Sequence, residues 1–242
     1  MGSKTEVQIG EVWDATSVVR PPKLVRNVVH LWRRRLQASS MEVSASYQLL
    51  SAEEQERAGR FRIERARNDF VLTRGTLRTL LARYLEHAPQ ELRFRYANRG
   101  KPVLEEEYNL CFNVSHTDGL ALIAVVKQRA IGVDVENISR KTPAKELAER
   151  FFSEQERAAL RHLGEDELQA AFFRCWTRKE AYIKAKGDGL SIPLHQFDVS
   201  MAAGERDVLI ATRPDTAEEA RWLICDVPIG AGYAAAVAVA LE

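Results

Sequence analysis

Two short stretches hold residue types that could do chemistry on a charged substrate. In Ile131 to Ile138 (IGVDVENI), Asp134 and Glu136 stand two residues apart, and in Phe172 to Lys186 (FFRCWTRKEAYIKAK), Glu180 and Lys184 stand four apart. On a strand, alternate side chains share a face, so the first pair places two carboxylates about 7 Å apart, where they repel. On a helix, Trp176, Glu180 and Lys184 stack along one side. One reading of these pairs is ordinary: a solvent-facing strand opposite Lys or Arg, and a surface ion pair contributing about 0.3–0.5 kcal/mol. The other is a hard oxygen-donor set of Asp134, Glu136 and a third carboxylate such as Glu180. That set suits Mg2+, which is usually held by a few carboxylates together with waters and substrate phosphates. His30, His87, His116, His162 and His195 are too scattered for a zinc site. Walker A, GxGxxG and GxSxG patterns are missing from the sequence, so a nucleotide-like ligand must be held some other way.

The elements that must position these residues are legible as patterns. The second stretch lacks Pro and Gly, carries apolar residues at helical spacing, and is expected to be a helix over 167–186, stopped by Gly187-Asp188-Gly189. A second long amphipathic helix is expected over 68–85, after the Arg-rich segment Arg57 to Arg67. Ser51 with Glu54, and Ser153 with Glu156, are capping boxes that open helices. Strands are expected over 28–36, 110–114, 120–126, 131–138, 208–212, 222–227 and 233–241. Ser115 to Gly119 then separates two strands, and Asn98 to Pro102 has turn chemistry.

These landmarks repeat. Val29 and Ile131 begin similar strands, Ser51 and Ser153 begin similar caps, and Thr73-Arg74 is echoed by Thr177-Arg178. The expected architecture is α+β, a pair of similar halves. The expected division is an N-terminal arm over 1–24, one half over 25–128, and a second half over 129–242 that carries the candidate metal site.

Composition sets wide bounds. The chain has 242 residues, 45% hydrophobic and 29% charged, with a formal net charge of +1. That balance suits a globular protein and points to neither nucleic acid nor membrane as a partner. Cys111, Cys175 and Cys225 lie far apart with no CxxC pair, and no apolar run reaches the roughly 18 residues of a membrane span. A reduced, cytoplasmic setting is expected.

Taken together, GKP (Gly100 to Pro102), FNVSHT (Phe112 to Thr117), IGVDVE (Ile131 to Glu136) and WTRKEAYIK (Trp176 to Lys184) resemble the Sfp-type 4'-phosphopantetheinyl transferases. FFS at Phe151 to Ser153 and HLW at His30 to Trp32 also match, and the resemblance covers nearly the whole chain from Val28. It implies a pseudo-twofold pair of similar α+β subdomains with the active site in the cleft between them and coenzyme A bound there. It also implies transfer of phosphopantetheine to a serine hydroxyl of an apo acyl or peptidyl carrier protein, releasing adenosine 3',5'-bisphosphate. It further implies that Asp134, Glu136 and Glu180 hold Mg2+ (or Mn2+), that Lys184 lies on the attacked phosphate, and that Glu180 could also accept the serine proton. Arg57, Gly100, Lys101, Pro102, Ser115 and His116 would line the coenzyme A site. The sequence departs from the family at Asp69, where Arg is frequent, with Arg65, Arg67 and Arg74 as candidate replacements. Arg140, Lys141 and Lys145 would face an acidic carrier. A chain twice the length of the small oligomeric carrier synthases should complete its site as a monomer. A non-catalytic protein binding coenzyme A or a carrier on the same fold, and a metal-dependent hydrolase of nucleotide pyrophosphates, are the alternative readings.

Overall fold

The computed structural model describes residues 7–18, 20–96, 101–105, 108–187, 192–205 and 208–241. In chain order the first elements are β1 (Gln8–Asp14), β2 (Val28–Arg35), α1 (Ser40–Tyr47), α2 (Ala52–Gly59) and α3 (Glu64–Leu85). They are followed by β3 (Arg95–Tyr96), β4 (Pro102–Val103), β5 (Leu110–Thr117) and β6 (Leu120–Lys127). Next come β7 (Ile131–Asn137), α4 (Ala144–Phe151), α5 (Glu154–Arg161) and α6 (Glu165–Lys186). The chain closes with β8 (Phe197–Val199), β9 (Leu209–Thr212), β10 (Trp222–Asp226) and β11 (Tyr233–Ala240).

The strands form two main sheets of matching order. In one, β2 pairs antiparallel with β6, which pairs with β5; in the other, β7 pairs antiparallel with β11, which pairs with β10. Each half adds a two-stranded hairpin, β3-β4 or β8-β9. The first sheet has one extra strand: β1, within the weakly patterned N-terminal segment, lies parallel to β2 with Trp13 against the rings of His30 and Trp32.

Strand alternation sorts the side chains into layers. Val29, Leu31, Leu122, Val133, Val135 and Val237 join in one core between the sheets. On the other side of the first sheet, Ile123 and Val125 meet Leu77, Leu80 and Leu81 of α3. On the other side of the second, Ala236 and Ala238 meet Phe172, Ala181 and Ile183 of α6.

The two halves also repeat a buried ionic device. Ser51 and Ser153 each accept from the amide three residues on, and Glu54 and Glu156 each return a bond to the cap amide, at 3.0 Å. Having capped its short helix, each glutamate meets a cation of its long helix: Glu54 meets Arg78 at 2.6 Å and Glu156 meets Lys179 at 2.8 Å. Each cation then donates to carbonyls just beyond that helix. Arg78 reaches Pro89 and Leu92 at 2.7 and 3.0 Å, and Lys179 reaches Leu194 and Phe197 at 2.7 and 2.6 Å. Buried charge is tolerated here because each cation is paired with a glutamate and also donates to backbone carbonyls.

The structure differs from the sequence pattern in places. β5 runs on through Ser115, His116 and Thr117, leaving Asp118 and Gly119 as the turn, with Gly119 at φ +82°. Its polar end stays paired with β6 as far as Thr117 opposite Leu120, and Ser115 and Thr117 find side-chain partners on β7. Residues 144–151, between the expected strand over 131–138 and the capping box at Ser153, form α4. Ser39 and Glu42 form a third capping box, which opens α1.

Candidate active site

Gly132 explains why α6 lies where it does. A Cβ there would come within 2.1 Å of the Ala181 carbonyl oxygen and 2.4 Å of the Ala185 amide nitrogen. Its bare backbone lets α6 lie directly on β7, which brings Glu180 and Lys184 beside Asp134 and Glu136. Upstream, the helix is fixed by Phe172 stacked on Phe152, with ring centroids 5.3 Å apart.

β5 meets β7 through side chains. Asn113 Oδ1 accepts from the Val133 amide at 2.9 Å, Thr117 Oγ1 accepts from the Asn137 amide at 3.2 Å, and Ser115 donates to Asp134 Oδ1 at 2.8 Å. Alternate residues of one strand thus stitch the two halves together, and the middle stitch lies in the candidate site.

Lys184 completes that middle stitch. Its ammonium lies 2.6 Å from Asp134 Oδ1, 3.1 Å from Ser115 Oγ and 3.4 Å from the Val133 carbonyl. Asp134 is 4% exposed, and its Oδ2 is buried without a protein partner. An unpaired buried carboxylate oxygen is costly, which marks a place for a cationic ligand. Its neighbours show the same shortage of positive charge. Glu136, with Thr117 at 3.4 Å and Arg140 at 3.5 Å, is pushed above the usual carboxylate range by burial and by Asp134. Glu180 is pushed up to about 7 by burial; Lys184 opposes this, while Asp134 and Glu136 reinforce it. Hard oxygen donors, an orphaned oxygen and mutually repelling carboxylates fit a divalent cation. Among the described residues, however, no three such side chains already converge as a metal cage, and an ammonium holds the inner oxygen of Asp134.

The remaining sequence-predicted residues divide into two groups. His116 lies near the end of β5, within reach of Asp69 and Lys184: the protein mass around its ring lowers its proton affinity, Asp69 opposes that, and Lys184 adds to it. Asp69 is itself pushed up by burial against the pull of Arg65 and His116. Lys101 reaches the site region, but its ammonium bonds backbone, donating to the Lys184 carbonyl at 2.7 Å and the Ile131 carbonyl at 3.3 Å. Pro102 lies in β4 opposite Tyr96, and Gly100 falls outside the described residues. Arg57 is exposed on α2, its guanidinium 5.1 Å from the Phe70 ring centroid, and no described contact joins it to the carboxylates. Arg74 is buried beside Glu54, with Nη1 unpartnered, and Arg65 pairs with Asp118.

Comparison with known proteins identifies the family. A family described as the 4'-phosphopantetheinyl transferase superfamily matches residues 130–238, and one described as 4'-phosphopantetheinyl transferase, N-terminal, matches residues 34–128. The 4'-phosphopantetheinyl transferase HetI of Nostoc sp. is 36% identical over 230 residues, covering 93% of this chain and 94% of HetI. The chain belongs to the 4'-phosphopantetheinyl transferase family. A putative 4'-phosphopantetheinyl transferase of Synechocystis sp. is 35% identical over 75% of this chain and 73% of its own length. The 4'-phosphopantetheinyl transferase Sfp of Bacillus subtilis is 32% identical over 63% of this chain and 66% of its own length. The resemblance drawn from the motifs is therefore borne out, as is the α+β fold of paired halves.

Spacing alone also passed over residues that hold this region of the transferase together. Thr117 bridges Glu136 and the Asn137 amide, Asn113 closes the seam, and Lys179 anchors α6 one residue before Glu180. The alternation of Asn113, Ser115 and Thr117 was available as a signal: three small polar residues on one strand face call for partners.

Proposed function

We propose that this chain moves 4'-phosphopantetheine from coenzyme A to a serine hydroxyl of an apo acyl or peptidyl carrier protein, releasing adenosine 3',5'-bisphosphate. The observation that carries the reading is the Lys184–Asp134–Ser115 group at the seam, with Asp134 Oδ2 orphaned beside two carboxyls raised by burial and by neighbouring carboxylates. Asp134, Glu136 and Glu180 would hold Mg2+, with Mn2+ as a substitute, on the pyrophosphate. When bound, the ion neutralises charge on the phosphate oxygens and orients them. Lys184, with its ammonium in the same cleft, binds the phosphate under attack and stabilises the charge that grows there. Ser115 and His116 supply donors from the end of β5. Glu180 lies next to this group, so a carboxylate is available to take the serine proton, directly or through water. Arg57 would contact the far end of coenzyme A, and the backbone at Gly100 to Pro102 would border it.

The same proposal includes a working monomer whose halves divide near residues 128/129, with the arm 1–24 preceding them. No described helix is long and apolar enough to cross a membrane. The test is intact-protein mass spectrometry of an apo carrier protein incubated with this protein, coenzyme A and Mg2+. A gain of one phosphopantetheine, prevented by EDTA, is expected. No gain with several carriers would refute the transfer reading. Bisphosphate released without any carrier modification would support a hydrolase instead.

A further inference from the structure

Lys101, a predicted substrate-facing cation, turns its ammonium to backbone on the catalytic elements themselves. Its Nζ donates to the Lys184 carbonyl at 2.7 Å and to the Ile131 carbonyl at 3.3 Å. Both acceptors matter. α6 ends at Lys186, with Gly187 in the left-handed region at φ 81°, so the Lys184 carbonyl is one of the last four that lack an intrahelical partner. A cation there also meets the negative end of the helix dipole. The Ile131 carbonyl belongs to the residue before Gly132, where β7 and α6 are in closest contact. One ammonium therefore joins the entry to β4, the start of β7 and the last turn of α6. On that same turn, the Lys184 side chain reaches Ser115 and Asp134 on the other side.

We propose that Lys101 is a positioning residue: by holding the last turn of α6 against β7 it sets where Lys184 presents its charge, and it does not itself bind substrate phosphate. This rests on the reading of Lys184 as the cation at the attacked phosphate.

Lys101→Met keeps the length of the stem and removes the donors, while Lys101→Gln keeps an N–H donor. Coenzyme A binding is measured by calorimetry, transfer by steady-state kinetics, and folding by thermal melting. For Lys101→Met the expected result is about a tenfold or greater fall in kcat, with coenzyme A affinity within about threefold of the parent. Lys101→Gln should recover part of that loss. In a Lys184→Ala background, Lys101→Met should change kcat by less than about twofold, because coupled residues do not act independently. Hydrogen exchange adds a readout independent of catalysis. In Lys101→Met, and in Lys101→Gln should the first variant fail to fold, amides of residues 183 to 187 should exchange faster while those of α5 do not. Tenfold weaker coenzyme A binding with kcat unchanged would overturn the proposal and make Lys101 a phosphate ligand. So would a full multiplicative loss in the Lys184→Ala background, or unchanged exchange at 183–187. A parent protein that transfers nothing would sink the proposed function and leave the exchange result to decide the positioning role.

Discussion

Gly132→Ala is the substitution whose effect follows most directly from the geometry. The new Cβ would meet the Ala181 carbonyl oxygen at 2.1 Å, the Ala185 amide nitrogen at 2.4 Å and the Lys184 carbonyl carbon at 2.9 Å. All three are backbone atoms of α6, so no side-chain rotation relieves the clash. Ordinary contact needs about 3.4 Å in a close-packed interior, so helix and strand must part by roughly 1 Å. The Lys184–Asp134 distance is 2.6 Å. A parting of that size takes the pair to about 3.6 Å, beyond good hydrogen-bond range. Misplacing a catalytic group by about 1 Å can cost on the order of 100-fold in rate. Overpacking also destabilises by about 1–3 kcal/mol. The expected variant is folded, melts several degrees lower, binds coenzyme A, and modifies carrier protein roughly 100-fold more slowly. Single-turnover transfer followed by mass spectrometry, with calorimetry for coenzyme A, separates these effects. Turnover within twofold of the parent at an unchanged melting temperature would refute the argument that this close approach places the lysine.

Other expectations follow from the same structure. Asp134→Ala and Glu180→Gln should each abolish carrier modification with melting behaviour near that of the parent; turnover near that of the parent in either would remove that residue from the proposed ion site. Replacing Arg140, Lys141 and Lys145 together by Glu should raise KM for an acidic carrier and leave coenzyme A affinity alone, and an unchanged KM would place carrier docking elsewhere. Stability should fall with acid through His30, which is buried, bonded through Nδ1 to the Tyr84 hydroxyl, and lowered by burial from 6.5 to about 4. Because the folded value lies below the unfolded one, the unfolded chain takes up the extra proton. Stability is then whole above about pH 6.5 and lost as pH drops toward 4, by up to about 3 kcal/mol. His30→Gln should flatten that part of the denaturation profile, and an unaltered profile would show that His30 does not carry it.

The sequence alone determined what depends on near neighbours. Capping boxes, the 3.6-residue period of α3 and α6, and the strand alternation that puts Asp134 and Glu136 on one face are set by interactions within a few residues. The grouping of Glu180 with Lys184 by one helical turn was legible for the same reason. The halved architecture was legible because the repeated caps sit at a constant offset. Among the missed elements, β1 and α1 have weak local patterns, while α4 is a short helix of only eight residues with one buried side. β1 owes its place to Trp13 on Trp32, and α4 to the burial of Ala144 and Ala148.

Only the tertiary structure decided which charge meets which. Lys101 and the carbonyl it caps are 83 residues apart, Ser115 and Lys184 are 69 apart, and Asp134 and Lys184 are 50 apart. Arg74, a candidate for a phosphate by residue type, lies instead beside buried Glu54, while exposed Arg57 remains over a phenylalanine ring. Spacing cannot reveal such choices, because a charge pairs with whatever close packing brings within about 4 Å, and that is set by how the sheets and long helices meet. Gly132 shows the difference: in the sequence it is one small residue in a strand, and in the fold it is the gap that lets α6 bring its glutamate and lysine to the carboxylates of β7.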